Sequence, residues 1–182
     1  MHHRFRETRW HGRCVNRDES TCEIEKRAEM KADTRILVVD DDEIIRLSLL
    51  RSLRSDQRKV EVAMNGKTAI NAMEQQPFDV VLLDLRMPGM DGMSVLKTIK
   101  KRWPESEVVI ITGYPGIETA VEAVRLGAFD YLAKPVGPDE VIRAANSAAT
   151  QKRWALREQQ RVQAGEPNAK ADARREMGNY VH

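Results

Sequence analysis

Short apolar runs alternate with helix-like spacing through the middle of this chain. Residues 36–39, 80–83 and 108–111 are apolar at every position, which is typical of strands buried on both faces of a parallel sheet. Shorter strands are predicted at 60–63 and 129–133. Asn65-Gly66 is predicted to form a turn after the 60–63 strand. Helical periodicity is predicted near 43–55, after Gly66 and ending before Pro77, at 92–102 and 117–126, and from Pro138 onward.

This β-α unit occurs five times with short connections. Alternating strands and helices predict an α/β fold, with a parallel sheet covered by helices on both faces. Right-handed crossovers favour a doubly wound five-stranded sheet of flavodoxin-like order 2-1-3-4-5. In that order, the topological switch point, where the strand order reverses, lies between the first and third strands. Ligand sites of open α/β sheets lie at the carboxyl edge of such a switch point.

Polar groups end four of the five predicted strands, and the exception is the second strand, which would lie at the sheet edge. They are the pair Asp40 and Asp41, then Asp84, Thr112 and Lys134. Clustered carboxylates repel one another unless a cation joins them, and Mg²⁺ commonly uses carboxylates, water and phosphate oxygens. A carboxylate nucleophile at Asp84, with a metal, a lysine and a hydroxyl, could carry out phosphoryl transfer.

These residues, and the neighbouring Asp42, also have simpler interpretations. Asp42 could cap the first helix, Asp84 could be a solvated turn residue, and Lys134 could be an ordinary surface lysine. Thr112 could be present only for its strand propensity. Four such groups at one edge of a sheet are a far less probable coincidence than any one of them alone.

The positions of cysteine and histidine exclude several kinds of catalytic and metal site. The two cysteines and all four histidines lie before residue 34 or at residue 182, so no Cys or His occurs between Thr34 and Thr150. Serine–histidine triads, thiol nucleophiles and histidine–zinc sites are therefore excluded from that region. The net charge of +2 gives no global field for nucleic acid or membrane, and the cysteine usage is consistent with a cytoplasmic protein.

The chain divides into three predicted regions. Residues 1–33 have mixed charge and little periodicity, so we expect a disordered N-terminal extension. Residues 34–150 form the predicted α/β domain. Residues 151–182 form a C-terminal helical extension and polar tail with a net charge of +3, from seven Lys/Arg and four Asp/Glu. That segment is too sparse in apolar residues for a helix-turn-helix, so no direct DNA binding is expected.

The last helix is predicted to run from Pro138 to about residue 164, a rod of roughly 37 Å. It would then project past the sheet and could add to a weak homodimer strengthened by phosphorylation. Its apolar stripe after Thr150 is too thin for an independent coiled coil. The alternative is a helix that frays after Thr150.

The core motifs resemble those of the receiver domain of bacterial two-component response regulators. They are Leu37-Val38-Val39-Asp40-Asp41-Asp42, the stretch from Asp84 to Gly92 (DLRMPGMDG), Thr112-Gly113 and Tyr131-Leu132-Ala133-Lys134-Pro135. The motifs occur in family order between Thr34 and Ala149. The segment around Tyr131 is most similar to receivers of enhancer-binding transcriptional activators.

The resemblance implies a role for each matching residue. Asp84 would accept a phosphoryl group from a phosphohistidine on a sensor histidine kinase. Asp41, Asp84 and the main-chain carbonyl of Arg86 would hold Mg²⁺, with Asp40 helping directly or through water.

The remaining implied roles concern the phosphoryl oxygens and the conformational switch. Lys134 and Thr112 would bind the phosphoryl oxygens, and Tyr131 would turn inward when Thr112 moves. The peptide bond before Pro135 would be cis. The expected activity is Mg²⁺-dependent self-phosphorylation and slow autodephosphorylation, with output through a partner or a dimer.

Three other functions fit the same topology less well. A scaffold that has lost the chemistry would not need Asp41, Asp84, Thr112 and Lys134 together. A phosphatase of the haloacid dehalogenase type would have an aspartate two residues after the nucleophile, where this chain has Arg86. A flavin carrier would place its cofactor phosphate against the acidic loop after the first strand, which would repel it.

Overall fold

The computed structural model describes residues 33–164. The strands are β1 (Thr34–Val39), β2 (Arg58–Ala63), β3 (Val80–Leu83), β4 (Glu107–Thr112) and β5 (Asp130–Ala133). The helices are α1 (Glu43–Leu53), α2 (Gly66–Gln75), α3 (Gly92–Arg102), α4 (Ile117–Arg125) and α5 (Pro138–Gln163). The N-terminal extension predicted for residues 1–33 and the tail after residue 164 lie outside the described residues, apart from Asp33.

The five strands form one parallel sheet in the order β2-β1-β3-β4-β5, which confirms the predicted topology. Val39 pairs with both Ala63 and Leu83, so the carboxyl ends of the three strands are level. The register therefore places the residues that follow β1 and β3 side by side at one edge.

Two apolar cores cover the two faces of the sheet, because successive side chains of a strand point to opposite faces. Leu37 and Val39 of β1 face a cluster completed by α2, α3 and α4. Ile36 and Val38 face a second cluster completed by α1 and α5. This double burial explains why β1, β3 and β4 are apolar at nearly every position.

The start of α2 differs from the sequence-based prediction of a turn at Asn65-Gly66. Asn65 is instead the helix N-cap, since its side chain accepts from the Thr68 amide while the Thr68 hydroxyl accepts from the Asn65 amide. Gly66 begins the helix, and a Cβ at this position would lie 2.5 Å from Val95 Cγ2. The glycine is therefore required by close packing between α2 and α3.

Helix α5 has 26 residues and a length of about 39 Å. All of its buried residues lie between Val141 and Ala149, and the helix continues past Thr150 to Gln163. Lys152 Nζ lies 2.7 Å from Asp79 Oδ1, which ties the beginning of the extension to the opposite edge of the sheet from Asp84. No helix among residues 33–164 is both long enough and apolar enough to cross a membrane.

Candidate functional site

The carboxyl ends of β1, β3, β4 and β5 bring the predicted residues together. The Asp40 amide donates to the Ala63 carbonyl, and the Asp84 amide donates to the Val39 carbonyl at 2.9 Å. These ladder bonds fix the main chain of both aspartates at the end of the sheet. Lys134 follows β5, and its amide donates to the Thr112 carbonyl at 2.8 Å.

Lys134 links the two central acids. Its Nζ donates to Asp40 Oδ2 at 2.6 Å and to Asp84 Oδ2 at 2.7 Å. The Asp40 and Asp84 side chains are only 3% and 9% exposed, whereas Lys134 is 17% exposed. One ammonium group therefore neutralises part of two buried negative charges at the switch point of the sheet.

Burial and pairing oppose each other in the pKa values of this site. Burial raises the pKa of Asp40, against the opposite effect of hydrogen bonds from Lys134 and the Asp42 amide. Burial alone would lower the pKa of Lys134, but its hydrogen bonds and charge interactions with Asp40 and Asp84 outweigh it and raise that pKa. The site thus holds Lys134 as a cation at neutral pH.

Asp41 completes an acidic cluster. Oxygen atoms of Asp40, Asp41 and Asp84 all lie within 4.8 Å of one another, and Asp41 is exposed whereas the other two are buried. Every donor is a carboxylate oxygen, and an exposed member gives access from solvent. This donor set fits a hard divalent cation such as Mg²⁺ or Ca²⁺ and does not fit a metal that prefers sulfur or imidazole.

Arg86 lies directly beside the cluster. Its amide donates to Asp84 Oδ1 at 3.2 Å, so the main chain of Arg86 lies close to the Asp84 carboxylate. The loop then folds back tightly, because a Cβ at Gly92 would lie 2.3 Å from the Asp84 carbonyl oxygen. Gly92 therefore allows α3 to begin against the strand end that carries Asp84.

Thr112 and Tyr131 lie on adjacent strands. Thr112 is fully buried, and its hydroxyl oxygen accepts from the Tyr114 amide at 3.3 Å. Tyr131 is partly buried, and its hydroxyl lies 3.0 Å from Thr119 Oγ1 of α4. The Lys134–Pro135 peptide bond is cis.

Three contacts at the site were not predicted from the sequence. Arg46 of α1 donates from Nη1 to the Asp40 carbonyl at 2.7 Å. The Arg86 guanidinium lies over the Tyr114 ring, 4.1 Å from its centroid. The Thr119–Tyr131 pair connects α4 to β5. None has a local sequence signature, since each joins residues from separate elements.

Asp42 caps the first helix, as the sequence suggested. Its carboxylate caps α1 by accepting from the amides of Ile44 and Ile45 at 2.8 and 3.3 Å. Asp42 is not a member of the acidic cluster formed by Asp40, Asp41 and Asp84.

A model of the response regulator receiver domain family matches residues 36–146, which is more than half of the chain. The chain belongs to this family. The receiver domain predicted from the strand-end motifs is thereby confirmed, and so is its place among the response regulators of two-component systems.

Curated relatives share this region. Regulatory protein AtoC of Escherichia coli K12 is 42% identical over 112 residues, which are 62% of this chain and 24% of AtoC. The DNA-binding transcriptional regulator NtrC of the same strain is 42% identical over 113 residues, again 62% of this chain and 24% of NtrC. The chain thus spans about a quarter of the length of these relatives.

Solved structures agree on the fold. A CheY-like receiver domain protein from Methanospirillum hungatei JF-1 superposes with a TM-score of 0.65 at 29% identity, covering 67% of this chain and 98% of that one. NtrX from Brucella abortus superposes with a TM-score of 0.66 at 34% identity, covering 70% of this chain and 29% of NtrX.

Proposed function

We propose that this receiver domain is a phosphorylation-driven signalling switch, with Asp84 as the phosphoryl acceptor. The observation that carries the proposal is the contact of Lys134 Nζ with both Asp84 and Asp40 at the carboxyl edge of the sheet. The ammonium group lies where it could neutralise a phosphoryl group on Asp84. Thr112, at the end of the neighbouring strand, supplies a hydroxyl for the same group.

The proposed donor is a phosphohistidine of a sensor histidine kinase or a phosphotransfer protein. An Asp84 carboxylate oxygen attacks phosphorus, forming an O–P bond as the N–P bond breaks, and the histidine nitrogen keeps the electron pair. Lys134 and Thr112 hold the phosphoryl oxygens during transfer. Catalysis of this kind depends on positioning and charge neutralisation, which a site fixed to strand ends can provide.

The proposed cofactor is Mg²⁺. Asp41, Asp84 and the main-chain carbonyl of Arg86 would hold the ion, and Asp40 would assist directly or through water. When bound, Mg²⁺ supplies positive charge that offsets the negative charge gathered between the carboxylates and the transferring group. The exposed position of Asp41 gives the ion a path from solvent.

The domain would reverse its own state slowly. Water attacks phosphorus, the Asp84 O–P bond breaks, and inorganic phosphate leaves with the carboxylate restored. This autodephosphorylation restores the unphosphorylated state of the switch, so we do not assign a dedicated enzymatic activity to the domain.

The proposed switch passes through Thr112 and Tyr131. A phosphoryl group would draw the Thr112 hydroxyl toward Asp84, and the Tyr131 ring would turn into the space that is left. In the resting structure, the Tyr131 hydroxyl contacts Thr119 at 3.0 Å, so this turn would break a tie between β5 and α4. The signal would then pass to a partner protein or to a homodimer that phosphorylation strengthens. In this proposal the receiver domain comprises residues 34–150, and α5 extends beyond it.

A test uses acetyl phosphate and Mg²⁺ with intact-mass measurement. One phosphoryl group should add to the native chain, and no adduct should form in Asp84→Asn or in the presence of EDTA. Persistence of the adduct in Asp84→Asn would exclude Asp84 as the acceptor. A native chain that takes no phosphoryl group from acetyl phosphate or from any phosphohistidine donor would favour the alternative, a non-phosphorylated interaction scaffold of the same fold.

A further inference from the structure

A cation–π contact joins the two loops that border Asp84. Arg86 in the β3–α3 loop places its guanidinium carbon 4.1 Å from the ring centroid of Tyr114 in the β4–α4 loop. The Arg86 amide donates to Asp84 Oδ1, and the Tyr114 amide donates to Thr112 Oγ1. The contact therefore connects the loop of the acceptor carboxylate to the loop of the buried hydroxyl.

The element that follows Tyr114 is held loosely. Ala123 is the one buried residue of α4, and its N-cap residue, Gly116, provides no side-chain hydrogen bond to the first turn. Ile117, the first residue of α4, is 86% exposed. Elements with few buried apolar contacts open at low free energy, so single contacts at their ends have a large effect on position.

We propose that the Arg86–Tyr114 contact is a latch that keeps the β4–α4 loop in its resting position, and that a phosphoryl group on Asp84 releases it. The inference rests on the proposed function of Asp84. A guanidinium forms strong charge-assisted hydrogen bonds with phosphoryl oxygens, whereas its contact with an exposed aromatic ring is weak. The phosphoryl group and the Tyr114 ring thus compete for one side chain.

The latch has an energetic consequence for switching. When Arg86 turns to the phosphoryl group, Tyr114 loses its partner and the loop can follow Thr112 toward Asp84. Part of the free energy of phosphoryl binding is spent on breaking the contact. Removing the ring should therefore strengthen the apparent binding of a phosphoryl analogue by roughly two- to fivefold, the range of an exposed cation–π pair. Tyr114 is in this sense a positioning residue, since it acts through Arg86.

The test titrates the full chain with beryllium trifluoride in saturating Mg²⁺ and follows the amide resonances of Thr112 and Gly113. Half-saturation should fall two- to fivefold in Tyr114→Leu and stay at the native value in Tyr114→Phe, which keeps the ring. In an Arg86→Gln background, Tyr114→Leu should cause no further change. Equal effects of the Leu and Phe variants, or a Tyr114→Leu effect that persists without Arg86, would overturn the latch.

A second readout needs no analogue. The δ protons of Arg86 should show an upfield ring-current shift in the native chain and in Tyr114→Phe, and lose it in Tyr114→Leu. Native δ protons at ordinary shifts would contradict the contact itself. A native chain with the ring-current shift that does not bind beryllium trifluoride would contradict the proposed function, and with it the release step. A chain that binds the analogue equally in all variants would contradict the latch alone.

Discussion

Lys134→Ala tests the electrostatic design of the site. The change removes the ammonium group that lies 2.6 Å from Asp40 and 2.7 Å from Asp84. Breaking a buried ion pair by removing one partner costs roughly 3–5 kcal/mol. Because Lys134 is partly exposed and water can reach the site, we expect a smaller loss of about 2–3 kcal/mol. A domain of this size is stable by roughly 5–15 kcal/mol, so the fold should survive.

The stability deficit of Lys134→Ala should depend on pH. Burial already raises the pKa of Asp40, and loss of the lysine raises it further. The folded variant then binds a proton more readily than the unfolded chain, so its stability is highest below the unfolded pKa of about 3.9 and falls as pH rises through the folded pKa. The difference from the native chain should therefore be smallest at acidic pH and grow as pH rises through the raised pKa of Asp40.

Urea denaturation at several pH values, with and without Mg²⁺, measures this directly. Lys97→Ala on the exposed surface of α3 is the matched control and should change stability by less than about 0.5 kcal/mol. Mg²⁺ should stabilise Lys134→Ala more than the native chain, because metal and lysine neutralise the same carboxylates. A deficit that is independent of pH, or a Mg²⁺ effect no larger than in the native chain, would refute the reasoning. The variant should also lose most of its conformational response to phosphorylation.

Other predictions concern the loops and the long helix. Gly92→Ala should lower the free energy of unfolding by more than about 2 kcal/mol and slow phosphorylation, since the added Cβ would overlap the main chain at the end of β3. Gly137→Ala is the control, because no atom lies within 4 Å of its added Cβ. Asp91→Ala should cost about 1 kcal/mol at pH 7 by loss of the α3 cap. The hydrogen bond from the Ser94 amide to the Asp91 carboxylate lowers the pKa of Asp91, so this stability difference should vanish as pH falls through that lowered pKa. Light scattering on fragments 34–150 and 34–166, with and without a phosphoryl analogue, should show a dimer only for the longer fragment. Equal masses under every condition would show that the α5 extension has no part in dimer formation.

The sheet and the acidic cluster could be predicted because they depend on periodicity and chain order. Runs apolar at every position require burial on both faces, and the doubly wound order then sets Asp40 beside Asp84. The bounds of α5 were also predictable, since Pro138 starts the helix and no glycine or proline interrupts it before residue 165.

Contacts between loops could not be predicted in the same way. The Arg86–Tyr114 contact and the Thr119–Tyr131 pair depend on how two connections approach each other, which no local pattern encodes. Asn-Gly is a strong turn signal and predicts a turn at Asn65, but Gly66 packs closely against α3 and begins a helix, so Asn65 is its N-cap.

The central claim is that Asp84 forms an acyl phosphate. Borohydride reduction of the chain after treatment with acetyl phosphate and Mg²⁺ converts a phosphorylated aspartate to homoserine, and peptide sequencing then locates it. Homoserine should occur at position 84, with Asp40 and Asp41 unchanged. Homoserine at position 40 or 41, or at neither of these nor 84 in a chain that carries a phosphoryl group, would contradict the assignment.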